Sequence, residues 1–378
     1  MKLQGIFPRY ILVVLIACLF FGTVPVLGAP NNAPQLEYVN GVVLSIQSLD
    51  VAPNKKVGVS SKSLVTILLT SGEEAGKEVQ SINYITNQPL FDINPSPGDK
   101  IILAVSEAQN VKQYHIADYN RLFPTYMLLG IFILSLLILG KKIGIKTIFV
   151  ICFSVVIILK GMVPLILNYH WNFIVATMLI CAFIATVTQI TISGWNSKTC
   201  GAILGTVGGV VIAGILAAAA ISWMHLTGLD SEEAMMLKVT TLSSMNFQEV
   251  LFAGIILGSL GAVMDVTISI ASTQYEIKSS CPHYGFAEVF KSGINVGRDV
   301  MGTMANTLIL AYTGSSLPLI FLIASQDNVS LMRIMNLNIV ATEITRALTG
   351  SIGLICSIPL TAAITAFLLS RKDVNNQL

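Results

Sequence analysis

The sequence predicts a mainly α membrane protein: a polytopic bundle of about eight transmembrane helices with a small β-rich domain, barrel or sandwich, on the extracytoplasmic side near its N-terminus. Three observations predict it. Of 378 residues, 54% are hydrophobic and 11% charged, far below the roughly 25% charge of soluble domains. The apolar residues gather into runs near the roughly 20 residues that cross a bilayer. The single long polar stretch, residues 30–120, alternates short β-branched runs with turn residues. A net charge of +2 without a concentrated basic patch excludes nucleic-acid binding.

Lys2 and Arg9 precede the apolar run Tyr10–Leu27. Residues 1–29 read as an uncleaved transmembrane helix or signal-anchor. Pro30 disfavours cleavage after Gly28, and the lipoprotein-like box ending at Cys18 is followed by further apolar residues. In residues 30–120, strands are predicted at Gly41–Ser48, Leu64–Thr70, Lys100–Val105 and Val111–Ile116, with turns at 53–56, 71–73 and 97–99. Glu73, Glu74 and Glu78 read as a solvated turn, and His115 is isolated.

Residues 121–372 form the main transmembrane domain of seven helices, followed by a cytoplasmic tail, 373–378. Its runs are Leu122–Gly140, Thr147–Leu167, Asn172–Ser193, Gly201–Met224, Val250–Ser272, Asp299–Ile323 and Ile339–Ser370. Lys141, Lys142, Lys146, Lys198, Lys278, Lys291, Arg298, Arg371 and Lys372 fall on one side. The positive-inside rule makes that side cytoplasmic, with both termini there and residues 30–120 extracytoplasmic across the cell membrane. Lys160 sits inside the third run, where it snorkels or Gly161–Pro164 breaks the helix.

Two capping spacings mark the loop 225–249. Asp230 with Glu233 predicts a short helix from Ser231, and Asn246 with Glu249 predicts that the sixth span starts near Phe247. The loop 273–298 is expected to hold another short helix. None of the six cysteines is placed for a disulfide in the exported domain, and Cys281 with His283 lacks the further ligands of a zinc site. No cofactor, metal or catalytic residue is expected.

Function is sought in a polar seam. At 100° per residue, Gly254, Gly258, Gly261, Asp265, Ser272 and Glu276 share a stripe of the sixth span about 60° wide. Gly254, Gly258, Gly261 and Gly302 are expected to pack helices closely. The seventh span puts Asp299, Gly302, Thr303, Asn306 and Thr313 on one face, and running antiparallel it would bring Asn306 to the depth of Asp265. Thr313, Ser315 and the following Pro318 interrupt that helix, as in transporters whose discontinuous helices coordinate solutes. Glu343 and Arg346, three residues apart on the eighth span, are placed to pair. Arg298, Asp299, Thr303 and Glu276 complete the candidate substrate- or ion-binding residues. The glycine-rich fifth span, Gly201 to Gly214, reads as a close-packed helix, since it lacks the ending of a phosphate loop.

The segments Gly258–Ser272 and Gly297–Tyr312 resemble the signatures of the YibE/F-like family of bacterial integral membrane proteins. Supporting pieces are Gly194–Thr199, Glu343–Arg346 and Pro359–Thr361. The resemblance implies a membrane location and, from topology, transport; it carries over no catalytic residue. A permease or export component with a polar site between the sixth, seventh and eighth helices is therefore the first expectation. The alternative is a non-transporting factor whose β domain binds a partner while the helices anchor or signal. The expected partners are the lipid bilayer, an unidentified small-molecule or ion substrate, and a further copy of the chain or a paralogous membrane subunit. Intramembrane proteolysis is disfavoured, because Asp265 and Asp299 differ by about 10 Å in depth by helical rise.

Overall fold

The computed structural model describes residues 37–49, 61–86, 92–108, 111–167, 171–240, 245–325 and 330–375. The expected first helix, residues 1–29, and the turn at 53–56 lie outside the described residues. Two compact units divide between Leu139 and Gly140.

The first unit holds five antiparallel strands: β1 (Glu37–Leu49), β2 (Ser61–Leu69), β3 (Glu78–Ile85), β4 (Lys100–Ala108) and β5 (Val111–Tyr119), in sheet order β3-β2-β1-β4-β5. Alternate residues Val39, Val43, Val65, Ile67, Leu69, Ile101, Leu103 and Val105 point to one face and form its core, as the two-residue period of a strand requires. The strand β3 carried no apolar signal, because Ser81 and Asn83 are among its inward residues. The Asn83 amide is satisfied there by donating to the Ile93 carbonyl at 2.7 Å. The glutamates of the β2–β3 turn are bonded rather than merely solvated. Lys112 Nζ donates to Glu73 Oε2 at 3.0 Å, and Glu74 accepts from Tyr114 Oη at 2.7 Å and Lys77 Nζ at 3.0 Å. These bonds link the turn to β5 in a sheet curled into a half-barrel, so that the edge strands β3 and β5 also meet. The Tyr114 and Lys77 donors hold the Glu74 carboxyl below its ordinary value, and Glu73 holds the Lys112 ammonium above its own.

Helix α1 (Leu122–Ile157) is interrupted by Lys141, with φ 47° and ψ −121°. Where two spans and a basic loop were expected, a single non-helical residue separates the apolar stretches. A π turn (Ile158–Met162) and α2 (Val163–Leu167) follow. Pro164 has no N–H for the carbonyl four residues back, so the helix widens around Lys160 and Gly161 instead of breaking, and Val163 N–H bonds the Ile158 carbonyl.

The second unit is built on α3 (Phe173–Ser193), α4 (Ser197–Trp223), α5 (Glu232–Thr240), α6 (Phe247–Ser280), α7 (Phe286–Ser315), α8 (Leu317–Ala324), α9 (Leu331–Met335) and α10 (Asn338–Asn375). Asn172, Asn196 and Asn246 cap α3, α4 and α6 by accepting from Val175, Thr199 and Gln248 N–H groups. Asn246 also donates to Glu249, which confirms the predicted start at Phe247. The short helix after Ser231 is capped by Ser231, whose hydroxyl accepts from Ala234 N–H at 3.2 Å, and not by Asp230. No extra helix fills 273–298. Instead α6 continues to Ser280 and α7 starts at Phe286, leaving a turn in which Lys278 bonds the Pro282 and Tyr284 carbonyls.

The helix α10 packs on α4, α6 and α7, and α4 packs on α3 and α6. Close approach comes from one row of small residues against another. A Cβ added at Gly201 or Gly205 of α4 would run into Thr365 or Thr361 of α10, and one at Gly209 would lie 2.6 Å from Ser357 Cβ. Gly293 and Gly297 of α7 likewise fit against Gln274 and Ile358. The interior polar groups are glue: Gln189 donates to Thr206 Oγ1 at 2.7 Å, and Thr206 meets Thr267 at 2.7 Å. Gln274 donates to the Val289 and Ala362 carbonyls at 2.9 and 3.0 Å.

Among the described residues, five helices are long and apolar enough to cross a membrane, or six if α7 and α8, bent by 64°, count as one broken span. The difference from eight has two sources. The first run lies outside the described residues, and the second and third form one stretch, Leu122–Leu167.

Candidate functional site

The bend between α7 and α8 falls where Gly314, Ser315 and Ser316 precede Leu317 and Pro318. Weak helix formers are followed there by a residue with no N–H for the Gly314 carbonyl. The bend lines a cavity of about 600 Å³ together with the start of α10 and the segment before α5. Ser315, Ser316, Gly254, Asp230, Glu343 and Arg346 line it.

Arg346 is the centre of charge. Its guanidinium donates to Glu343 Oε1 at 2.9 Å, one turn earlier on α10, and lies 3.8 Å from Asp230 Oδ2, an ion pair without a direct hydrogen bond. The side chains of Arg346, Glu343 and Asp230 are 27%, 19% and 12% exposed. Two carboxylates therefore share one guanidinium. Glu343 Oε2 and Arg346 Nε are buried with no hydrogen-bond partner among the described residues, so the cluster retains an acceptor and a donor for a further group. Glu343 and Ser316 also line an adjoining cavity of about 310 Å³, mostly apolar, with Tyr312 and Thr313.

Asp230 is held by its loop. Leu226 is buried, its carbonyl accepts from Gln248 at 2.7 Å, and Asn338 at the start of α10 exchanges bonds with Thr227. Gly228 has φ +69°, and a Cβ there would strike the Phe247 carbonyl. Only glycine fits this turn, which carries the chain back so that Asp230 reaches Arg346. The spacing to Glu233 had suggested a cap for Asp230. The partner is 116 residues away, and no local signal announces it.

The remaining candidates lie elsewhere. Asp265, Glu276, Arg298, Asp299, Thr303 and Asn306 are on exposed faces of α6 and α7. Among the described residues, the side chains of Asp265, Glu276, Arg298, Asp299 and Asn306 make no hydrogen bond or ion pair. Thr303 bonds only its own helix, at the Val300 carbonyl. Gly297 packs beside Ile270, Gly293 beside Gln274 and Tyr312 beside Gly258. Continued inward, this register sets Asp265 level with Thr303 and Asn306 about one turn, or about 5 Å, away. Both side chains lie on exposed faces turned away from this contact, so the expected Asp265–Asn306 pairing is not made within the chain. The packing role expected of Gly254, Gly261 and Gly302 is not found either, since a Cβ at any of them would meet nothing within 4 Å. Gly258 alone of the four is in contact, with the Tyr312 hydroxyl. No group of three or more metal-ligating side chains occurs among the described residues.

A β half-barrel followed by long apolar helices that interlock through small residues defines a membrane protein. The chain belongs to the YibE/F-like family: the model described as YibE/F-like protein matches residues 128–371. No curated protein and no solved structure matches the chain.

Proposed function

We propose that the protein is a multipass permease or export component, with both termini cytoplasmic and the β half-barrel outside, whose solute site is the cavity at the α7–α8 bend. One observation carries the reading. Arg346 and its two carboxylates line a solute-sized space at a broken helix, a combination with more polar capacity than bundle packing needs. Ionisable groups within apolar spans are costly and belong by default to pathways or binding sites, and broken helices supply backbone ligands at such sites. The cavity opens at the end of the bundle that the lysine distribution assigns to the outside, which makes it the outward vestibule of the path. The polar stripe of α6, running from Gly254 in the cavity through Gly258 and Gly261 to Asp265, continues it inward.

The test is complementation. Cells lacking the protein are given wild type, Arg346→Gln or the cavity-filling Ser315→Trp, and their ion and metabolite contents are compared without choosing a substrate in advance. Both variants are expected to insert at wild-type levels and leave the deletion profile uncorrected. Full correction by Arg346→Gln at equal protein level would refute the reading. The second reading, a partner-binding factor, has its own observation, a groove of about 520 Å³ between the edge strands β3 and β5, lined by Tyr84, Lys112 and Tyr114. Deleting residues 36–115 separates the two, because only a partner-binding role is lost entirely with that domain.

A further inference from the structure

The faces of α6 and α7 that the described residues leave uncovered are the wrong faces for lipid. On α7, Asp299, Gly302, Thr303, Asn306 and Thr313 are exposed along one side of the helix, with Leu310 among them, while the opposite side, with Val289, Gly293, Gly297 and Leu308, is buried against α6 and α10. On α6, Gly254, Gly258, Gly261, Asp265 and Ser269 are exposed, while the flanking Val263, Val266, Thr267 and Ile270 are buried. Lipid-facing surfaces of this protein look different. The exposed residues of α3 are Val175, Leu179, Phe183 and Ile192, and those of α4 include Leu204, Val211 and Ile215.

The uncovered face has the composition of a helix interface in a membrane, with small residues that admit close backbone approach and polar residues that bond across. A carboxyl and an amide left against hydrocarbon are expensive. What this face offers is also what it lacks. Asp265 supplies hydrogen-bond acceptors and needs a donor, Asn306 supplies both, and they lie about one turn apart on adjacent antiparallel helices. That is the self-complementary pattern of a two-fold interface, in which residue i of one subunit meets residue j of the other and j meets i.

We propose that this face is covered by the same face of a second copy of the chain, with Asp265 of each protomer bonded to Asn306 of its partner. The proposal stands on the composition and exposure of the face and does not depend on transport.

The experiment uses the full chain in two differently tagged versions co-expressed in the native membrane, one carrying Asp265→Cys and the other Asn306→Cys, with oxidative cross-linking. A mixed-tag dimer is expected from this pair and not from a control pair on the α3 lipid face, Leu179→Cys with Phe183→Cys. Because cysteine variants can perturb insertion, the unmodified chain is also counted by single-molecule photobleaching of a fluorescent fusion in lipid nanodiscs. Two bleaching steps are expected. Asp265→Leu with Asn306→Leu is expected to lower the dimerisation constant about 3- to 30-fold, the worth of one to two interhelical hydrogen bonds. Gly302→Trp is expected to give single steps. A unmodified chain that bleaches in one step, a cross-link formed equally by the control pair, or a cross-link from Asp265→Cys to a cysteine placed within residues 10–27 of the same chain would each overturn the proposal.

Discussion

Replacing Gly205 by alanine adds one methyl group in the middle of the α4–α10 contact. The added carbon would lie 2.8 Å from Thr361 Cβ and 3.1 Å from Thr361 Cα, besides meeting the hydroxyl. Carbon atoms pack at about 3.5–4.0 Å, so the helices must part locally by about 0.7 Å or more. Thr361 cannot simply swing aside. It is fully buried, and its hydroxyl donates to the Ser357 carbonyl at 2.7 Å, a bond that rotation would leave unmade. Overpacking of this kind costs about 1–3 kcal/mol, against a gain of up to about 1 kcal/mol in helix propensity, so Gly205→Ala is expected to destabilise by about 1–2 kcal/mol. Gly208→Ala is the internal comparison. Its nearest obstacle is Leu360 Cδ1 at 2.9 Å, the end of a flexible side chain that can repack, and the propensity term then dominates. The assay is reversible unfolding in mixed micelles followed by the fluorescence of the native tryptophans. Equal stability of the Gly205 and Gly208 variants would refute the assignment of the α4–α10 contact to backbone-limited packing.

Three further outcomes are expected. Gln274→Met loses two bonds to backbone carbonyls in a fully buried site and should cost about 1–3 kcal/mol; Gln189→Met, whose partner Thr206 keeps the Ala202 carbonyl and Thr267, should cost less than about 1 kcal/mol in the same assay. At the cavity, Glu343→Gln removes the charge from a bonded pair about a fifth to a quarter exposed and should destabilise by about 1–2 kcal/mol, below the 3–5 of fully buried pairs. Asp230→Asn loosens only a 3.8 Å ion pair, so it should cost less than Glu343→Gln, and the reverse order would contradict the geometry. In the half-barrel, the depressed Glu74 carboxyl contributes stability that is fully present above its unfolded value of 4.5 and lost as pH falls through its lower folded value. Hydrogen exchange in β5, corrected for intrinsic rate, should therefore rise in acid for wild type, with a smaller pH dependence for Glu74→Gln.

The apolar runs, the Asn246 cap and the Gly314–Pro318 bend were legible in the sequence because each depends on residues within about one helical turn. Hydropathy reports transfer to lipid residue by residue, and a cap is a bond to a backbone group two or three positions away. The half-barrel was mostly legible for the same reason, except β3, whose inward serine and asparagine are paid no attention by a hydrophobic pattern. The spacing of Glu343 and Arg346 predicts their pair, whereas that of Asp230 and Glu233 predicts a cap, since the ion pair of Asp230 with Arg346 requires the turn at Gly228. The glycines show the division most plainly. In sequence, the stripe Gly254, Gly258, Gly261 and the row Gly201, Gly205, Gly209 are both small residues at helical spacing. Only the tertiary structure decides that the row is locked against Thr365, Thr361 and Ser357 while much of the stripe stands open. The sequence by itself determined that these helices are apolar enough to lie in a membrane and closely placed α3, α4 and α10; the joining of the second and third runs, the length of α6 and α7, and which face meets which neighbour were decided by the packing of whole helices, because a contact is a property of two surfaces and a helix specifies only one.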